Sequence, residues 1–230
     1  HYAVPAILAQ AGLLQAFYTD LHASHPPLQL LRQIFPSSIQ PKSLKRLLGR
    51  QLPDSLPAHL VKDQFFSALL YPLLKKLHPQ LLSTDKRLFT QVEREKFAGA
   101  TSLYTNYINN DLDLVKKAKA QGIHCIHELI ISADVGRVLL EERHLFPGVE
   151  TQSEFPEQVE TGIEKDQQKW QTVDQVLVPS QYCWDSSIAL GADPQKLSLV
   201  PYGINEEWLG LKGEPEPGLS LIHISEPTRL

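Results

Sequence analysis

The sequence predicts an α/β domain built on a parallel sheet with helices on both faces. Three observations carry this. Between residues 100 and 200, short apolar runs alternate with longer segments of helical period. Runs such as Ile123 to Ile131 and Gln175 to Val178 are mostly apolar, as strands buried inside a parallel sheet are, although the first admits an imidazole and a carboxylate near its exit. Cap and stop residues separate the segments, because Asn, Asp and Ser favour helix starts and Gly favours helix ends.

The elements follow in order. Ala3 to Ala11 reads as a short helix stopped by Gly12, and Leu14 to Leu21 as a buried, aromatic-rich strand. From His25 to about Leu82, prolines 26, 27, 36, 41, 53, 57, 72 and 79 punctuate short Leu-rich pieces of helical spacing, which predicts a helical insertion. The amphipathic stretch Thr84 to Ala98 turns Leu88, Val92 and Phe97 inward. Thr101 to Ile108 is a strand, Asn110 or Asp111 caps a helix over Leu112 to Ala120, and Gly122 ends it before the strand Ile123 to Ile131. A long polar helix covers Glu157 to Thr172, and the strand Gln175 to Val178 follows. Ser180 caps a helix that stops at Gly191, and Leu197 to Val200 is the last strand. Strands and helices alternating at these lengths give a Rossmann-like arrangement joined by right-handed crossovers.

Composition narrows the function. A net charge of -4 and a pI near 6.1 argue against a nucleic-acid binder. The longest apolar run, Phe65 to Leu74, falls short of the roughly 20 residues that cross a bilayer. Cys125 and Cys183 stand far apart with no CxxC pair, so neither a disulfide framework nor a metal site is expected, and a cytoplasmic setting fits. The sequence holds no G-x-G-x-x-G, no P-loop and no H-E-x-x-H, which removes the main support for dinucleotide, P-loop and zincin chemistry.

Ligands of open parallel sheets bind at the carboxyl ends of the strands. The candidate binding residues there are Asn106, Asn109, Glu128, Ser180, Tyr202 and Gly203. His127 is the candidate catalytic residue, because an imidazole near the exit of an apolar strand can orient or deprotonate a hydroxyl near neutrality. A hydrogen-bonded structural histidine is the competing reading. Ser180 serves equally as a simple helix cap, and Gly203 as a plain turn. Lys42, Lys45, Arg46 and Arg50 fall near one side of a short helix with Leu44, Leu47 and Leu48 on the other. Such a helix meets an anionic membrane or a phosphate-bearing acceptor, or is a solvated face.

The run VDQVLVPSQYCWDSSIALGADPQKLSLVPYGINEEWL, Val173 to Leu209, resembles the closing stretch of the N-terminal domain in retaining glycosyltransferases of family 4, which are two-domain GT-B enzymes. The resemblance implies transfer of a sugar from a nucleotide-sugar donor to an acceptor hydroxyl, the acceptor being a small molecule, a glycan or a lipid-linked glycan. His127 stands where some members carry a histidine beside the acceptor. The family's Gly-rich loop after the first strand is not visible, nor is the second domain with its E-x7-E region, so an acceptor half without the donor half is expected, inactive by itself. No cofactor is expected within this half. A non-catalytic binding module, or another GT-B enzyme such as a nucleotide-sugar epimerase, is the alternative.

Leu219 to Arg229, LSLIHISEPTR, matches the translation of a transposase adapter used in shotgun sequencing, and the chain opens at His1 with no Met anywhere. The expected organisation is therefore a piece of a longer gene. It comprises a Rossmann-like domain over 1–212 with its insertion at about 25–98, a linker over 213–218 containing EPEP, and an adapter-derived tail over 219–230.

Overall fold

A computed structural model describes residues 2–35, 40–65, 83–106, 111–149 and 155–203, the side chains of Ser43 and Thr84 excepted. The architecture is α/β, with parallel sheets flanked by helices. In the N-terminal part lie α1 (Ala3–Gln10), β1 (Phe17–Tyr18), α2 (Pro26–Ile34), α3 (Lys42–Leu48), β2 (Val61–Lys62) and α4 (Thr84–Arg94). There follow β3 (Ser102–Thr105), α5 (Leu112–Ala120), β4 (His124–Glu128), α6 (Val135–Leu145), α7 (Pro156–Thr172), β5 (Gln175–Val178), α8 (Gln181–Ala189) and β6 (Leu197–Leu199). Strands β3, β4, β5 and β6 form one parallel sheet in that order, and β1 and β2 form a parallel pair.

Register sets which side chains share a face. Thr105 lies opposite His127, His127 opposite Val176, and Val176 opposite Leu197. These residues are buried, whereas Tyr104, Ile126, Glu128, Leu177 and Ser198 on the other face are half-buried. The well-packed face meets α5 and α7, which lie side by side. Val115, Ala118, Cys125, Val176 and Val178 are fully enclosed there with Trp170 and Val173. Each of the enclosed valines contributes about 1.5–3 kcal/mol by leaving water. Helix stops behave as expected, with Gly122 (φ 76°) and Gly191 (φ 93°) in the left-handed region that ends α5 and α8. Lys196 closes the C-terminus of α7 from outside, its ammonium donating to the carbonyls of Trp170, Gln171 and Val173 at 2.9–3.2 Å.

Several elements differ from the sequence expectation. The first strand is reduced to Phe17–Tyr18. Its partner β2 lies inside the stretch expected to be helical: Pro57 holds the chain extended and Val61 favours a pleated surface. Residues 66–82 of that stretch lie outside the described residues. Helix α4 stops at Arg94, because Lys96, Phe97 and Ala98 all take left-handed backbone (φ 50–54°). Phe97 is therefore buried by a sharp turn and not by helical spacing. Helix α6 carried no sequence signal, because no residue of it is buried and Val138, Leu139 and Leu145 face solvent, leaving no amphipathic stripe.

Helix α6 crosses α7 closely at Gly136. A Cβ there would stand 2.8 Å from Val159 Cγ1 and 3.4 Å from its Cβ. Valine is stiff and cannot swing aside. Gly136→Ala is expected to lower stability by about 1–3 kcal/mol through overpacking, despite alanine's better helix propensity. Adding Val159→Ala should recover part of the loss in thermal unfolding; a Gly136→Ala protein as stable as the parent would contradict the close crossing.

Candidate functional site

The carboxyl ends of the four parallel strands converge on one edge, and most of the sequence candidates lie along it. Asn106 leaves β3 exposed, Glu128 is the last residue of β4, Ser180 follows β5, and Tyr202 and Gly203 follow β6. Asn109 lies outside the described residues. His127 and Glu128 are adjacent in β4, so the pleat sends them to opposite faces.

On the half-covered face Glu128 is held by the phenol of Tyr104. Tyr104 donates its hydroxyl hydrogen to Glu128 Oε2 at 2.5 Å. Burial pushes the Tyr104 hydroxyl well above its ordinary range, and the bond to Glu128, its charge and nearby Tyr202 push the same way. Tyr202 is likewise raised, by burial first and then by Glu128. Tyr104 is half-buried against the carboxylate, whereas Tyr202 is 61% exposed at the same edge of the sheet. A carboxylate fixed by a neutral phenol accepts a further hydroxyl with a charge-assisted bond, and a solvent-facing tyrosine offers an apolar ring with a polar tip. The structure places Glu128 and Tyr202 along the same edge of the sheet, and adds Tyr104 as the hydrogen-bond partner of Glu128.

On the other face His127 belongs to a closed polar cluster. It is 2% exposed, and the expected proton acceptor is inside the protein, not at the cleft. Thr105 donates its hydroxyl hydrogen to Asp111 Oδ2, and Asp111 Oδ1 lies 2.7 Å from Lys169 Nζ, which is 3.8 Å from Asp166 Oδ1. The Lys169 and Asp111 side chains are fully enclosed. Asp111 stands at the N-cap position of α5 but does not use its side chain to cap the helix, because both oxygens are engaged by Thr105 and Lys169. Burial lowers the His127 imidazole to about 4, and the Lys169 ammonium adds to this while Asp111 and a hydrogen bond with the Thr105 backbone oppose it. Burial pushes Asp166 up to about 6 against the pull of Lys169.

A pH dependence follows from His127. An imidazole lowered to about 4 in the fold, against about 6.5 unfolded, leaves the unfolded chain binding more protons between those values. Its contribution to stability is complete above pH 6.5 and is lost as pH falls towards 4. Asp166, raised by burial, acts in the opposite sense, stabilising at low pH and losing that contribution as pH rises through about 6. Comparing the parent with His127→Asn isolates the histidine. The parent's stability relative to the variant should shrink steadily between pH 7 and 4.5 in urea titrations; a constant difference would contradict the buried neutral imidazole.

The remaining candidates are placed plainly. Ser180 is the N-cap of α8, its hydroxyl oxygen accepting from the Cys183 N–H at 3.2 Å. Gly203 has no left-handed backbone, so the expected sharp turn does not require glycine, and a Cβ there would meet no protein atom within 4 Å. On α3, Leu44, Leu47 and Leu48 pack with Leu28, so the apolar side of that helix is used in the small N-terminal core. Lys42, Lys45 and Arg46 stay exposed, and Arg50 pairs with Asp20 at 2.8 Å. No helix among the described residues is long and apolar enough to cross a membrane.

A second group was missed in the sequence. His22, His25 and Asp63 meet where β1 and β2 end, and they are the one set among the described residues whose donor atoms could converge on a metal ion. Burial lowers the His22 imidazole, Asp63 opposing and His25 adding to the shift. The H-x-x-H spacing was visible, but its carboxylate lies 38 residues on, beyond a strand that helical periodicity concealed. Comparison with family models, with curated proteins and with solved structures returns no match.

Proposed function

We propose that this chain supplies the acceptor-binding side of a retaining GT-B glycosyltransferase. The observation that carries the reading is the Tyr104–Glu128 hydrogen bond at the carboxyl ends of a parallel sheet, on the same edge as Tyr202 of the VPYGIN segment that resembles family 4. In this reading Glu128 accepts a hydrogen bond from the acceptor and Tyr202 covers its apolar face. That arrangement fixes an attacking hydroxyl before the donor arrives, which is where orientation lowers a barrier. His127 is a positioning residue: with Thr105, Asp111 and Lys169 it holds the end of β4, and so Glu128, in place.

Departure of the nucleotide diphosphate requires helix N-termini and basic side chains facing the donor, a role assigned to a second α/β domain. The reading places the protein in the cytoplasm, with Lys42, Lys45 and Arg46 facing anionic headgroups when the acceptor is lipid-linked. The purified chain incubated with nucleotide-sugars is expected to release sugar and nucleotide only at the background rate; turnover comparable to a complete glycosyltransferase would contradict the division of labour. With the donor domain present, product anomers should keep the donor's configuration, and inversion would overturn the retaining assignment.

A further inference from the structure

The turn leaving β1 and the residue following β2 form a compact donor set. Parallel pairing of Phe17 with Val61 and Tyr18 with Lys62 places the two strand exits side by side. His22 and His25, in the turn before α2, thereby reach Asp63. The Nε2 of His22 is 3.3 Å from Asp63 Oδ2, and the Nε2 of His25 shares a hydrogen bond with the same oxygen. One ligand atom from each of the three residues lies within 4.8 Å of the others. The side chains of His22 and Asp63 are 8% and 12% exposed, and that of His25 is 27% exposed.

We propose that His22, His25 and Asp63 bind one divalent transition-metal ion of the zinc class. Two imidazoles and one carboxylate form a borderline donor set that suits zinc and its neighbours, whereas magnesium and calcium favour oxygen donors. Zinc bonds of about 2.0–2.1 Å in a tetrahedron put neighbouring ligand atoms roughly 3.3 Å apart. The His22 to Asp63 separation of 3.3 Å matches that edge. Asp63 is steadied on its far side by the Phe65 N–H, which donates to Oδ1 at 3.4 Å, the kind of outer contact that orients a ligand. Asp20 is engaged by Arg50 and the Leu21 N–H, so the fourth position falls to water on the open side of His25.

Binding an ion requires the two imidazoles to move. The imidazoles of His22 and His25 stack at 4.3 Å with 20° between planes, and His25 lies 4.2 Å from the Phe65 ring. Stacked rings set their Nε2 atoms alongside one another, both towards Asp63. The Ser24 N–H donates to His22 Nδ1 at 3.2 Å, which places the proton of neutral His22 on Nε2. Uptake of the ion therefore turns His22 about its side-chain bonds, moves its proton to Nδ1 and releases the Ser24 amide.

The test is a titration of the whole chain with Zn²⁺ by calorimetry, repeated with Co²⁺ to read its visible spectrum. One ion per chain is expected, with the intense Co²⁺ absorption of a four-coordinate site. His22→Asn, His25→Asn and Asp63→Asn should each weaken binding by more than the roughly 10–100-fold that outer-shell losses bring. His124→Asn, at an exposed histidine on β4, should leave it unchanged. X-ray absorption at the zinc edge of the unaltered chain, which needs no variant to fold, should show two imidazoles. Absent uptake, uptake unaffected by the three substitutions, or an edge spectrum without imidazole scattering would overturn the site. The result is independent of sugar transfer, since Glu128 and its neighbours take no part.

Discussion

Lys169→Met is expected to lower the unfolding free energy by about 3–5 kcal/mol, the range seen when one member of a buried ion pair is removed. Lys169 is wholly enclosed, 2.7 Å from Asp111 and 3.8 Å from Asp166, so the substitution leaves two carboxylates without their cation in a dry setting. Methionine fills similar volume, which keeps the packing term small and leaves the electrostatic one. The double variant Lys169→Met with Asp111→Asn should cost less than the sum of the single changes by more than about 1 kcal/mol, because the second change removes the charge that the first stranded. Urea denaturation of the four proteins closes the cycle. Additive losses, or a Lys169→Met protein within about 0.5 kcal/mol of the parent, would mean that the cluster is not closed to water.

Glu128→Ala carries the second large effect, on binding. Losing a hydrogen bond to a charged group removes about 1.5–3 kcal/mol, which corresponds to acceptor affinity weaker by roughly 10–150-fold. Glu128→Gln, which keeps the shape and loses the charge, should fall between, and Tyr104→Phe should weaken binding less, because it removes only the bond that steadies the carboxylate. Stability should change little in all three, since the face concerned is half-covered. Equal affinities in parent and Glu128→Ala would remove the carboxylate from the site.

The parallel sheet was legible because its strands are short apolar runs bounded by residues with one structural use, Gly122, Ser180 and Gly191 among them. The placement of the candidate residues along one sheet edge was legible, their surroundings less so. The rule that ligands gather at strand carboxyl ends marked Glu128 and Tyr202, and it also marked His127, whose sequence neighbourhood could not say which way the pleat would turn it. Opposite Thr105 and beneath Lys169 it became a buried neutral imidazole. The partners that decide this, Asp111 and Lys169, are 58 positions apart and appear in sequence as an ordinary cap residue and an ordinary helix lysine. The N-terminal region misled for a related reason. Proline-punctuated leucines have helical spacing whether or not a two-residue strand lies among them, so β2, and with it the meeting of His22, His25 and Asp63, had no local signature.

The most direct measurement is a map of amide chemical shifts in the isotopically labelled chain titrated with hydroxylated acceptors, from simple sugars to glycolipid headgroups. Saturable shifts confined to the carboxyl ends of the strands, at residues 104–106, 128–129, 179–181 and 200–203, and abolished in Glu128→Ala, are the predicted result. Shifts at the opposite edge, near Ser102, His124 and Leu197, or saturable binding of nucleotide with none of any acceptor, would contradict an acceptor-binding role for this domain.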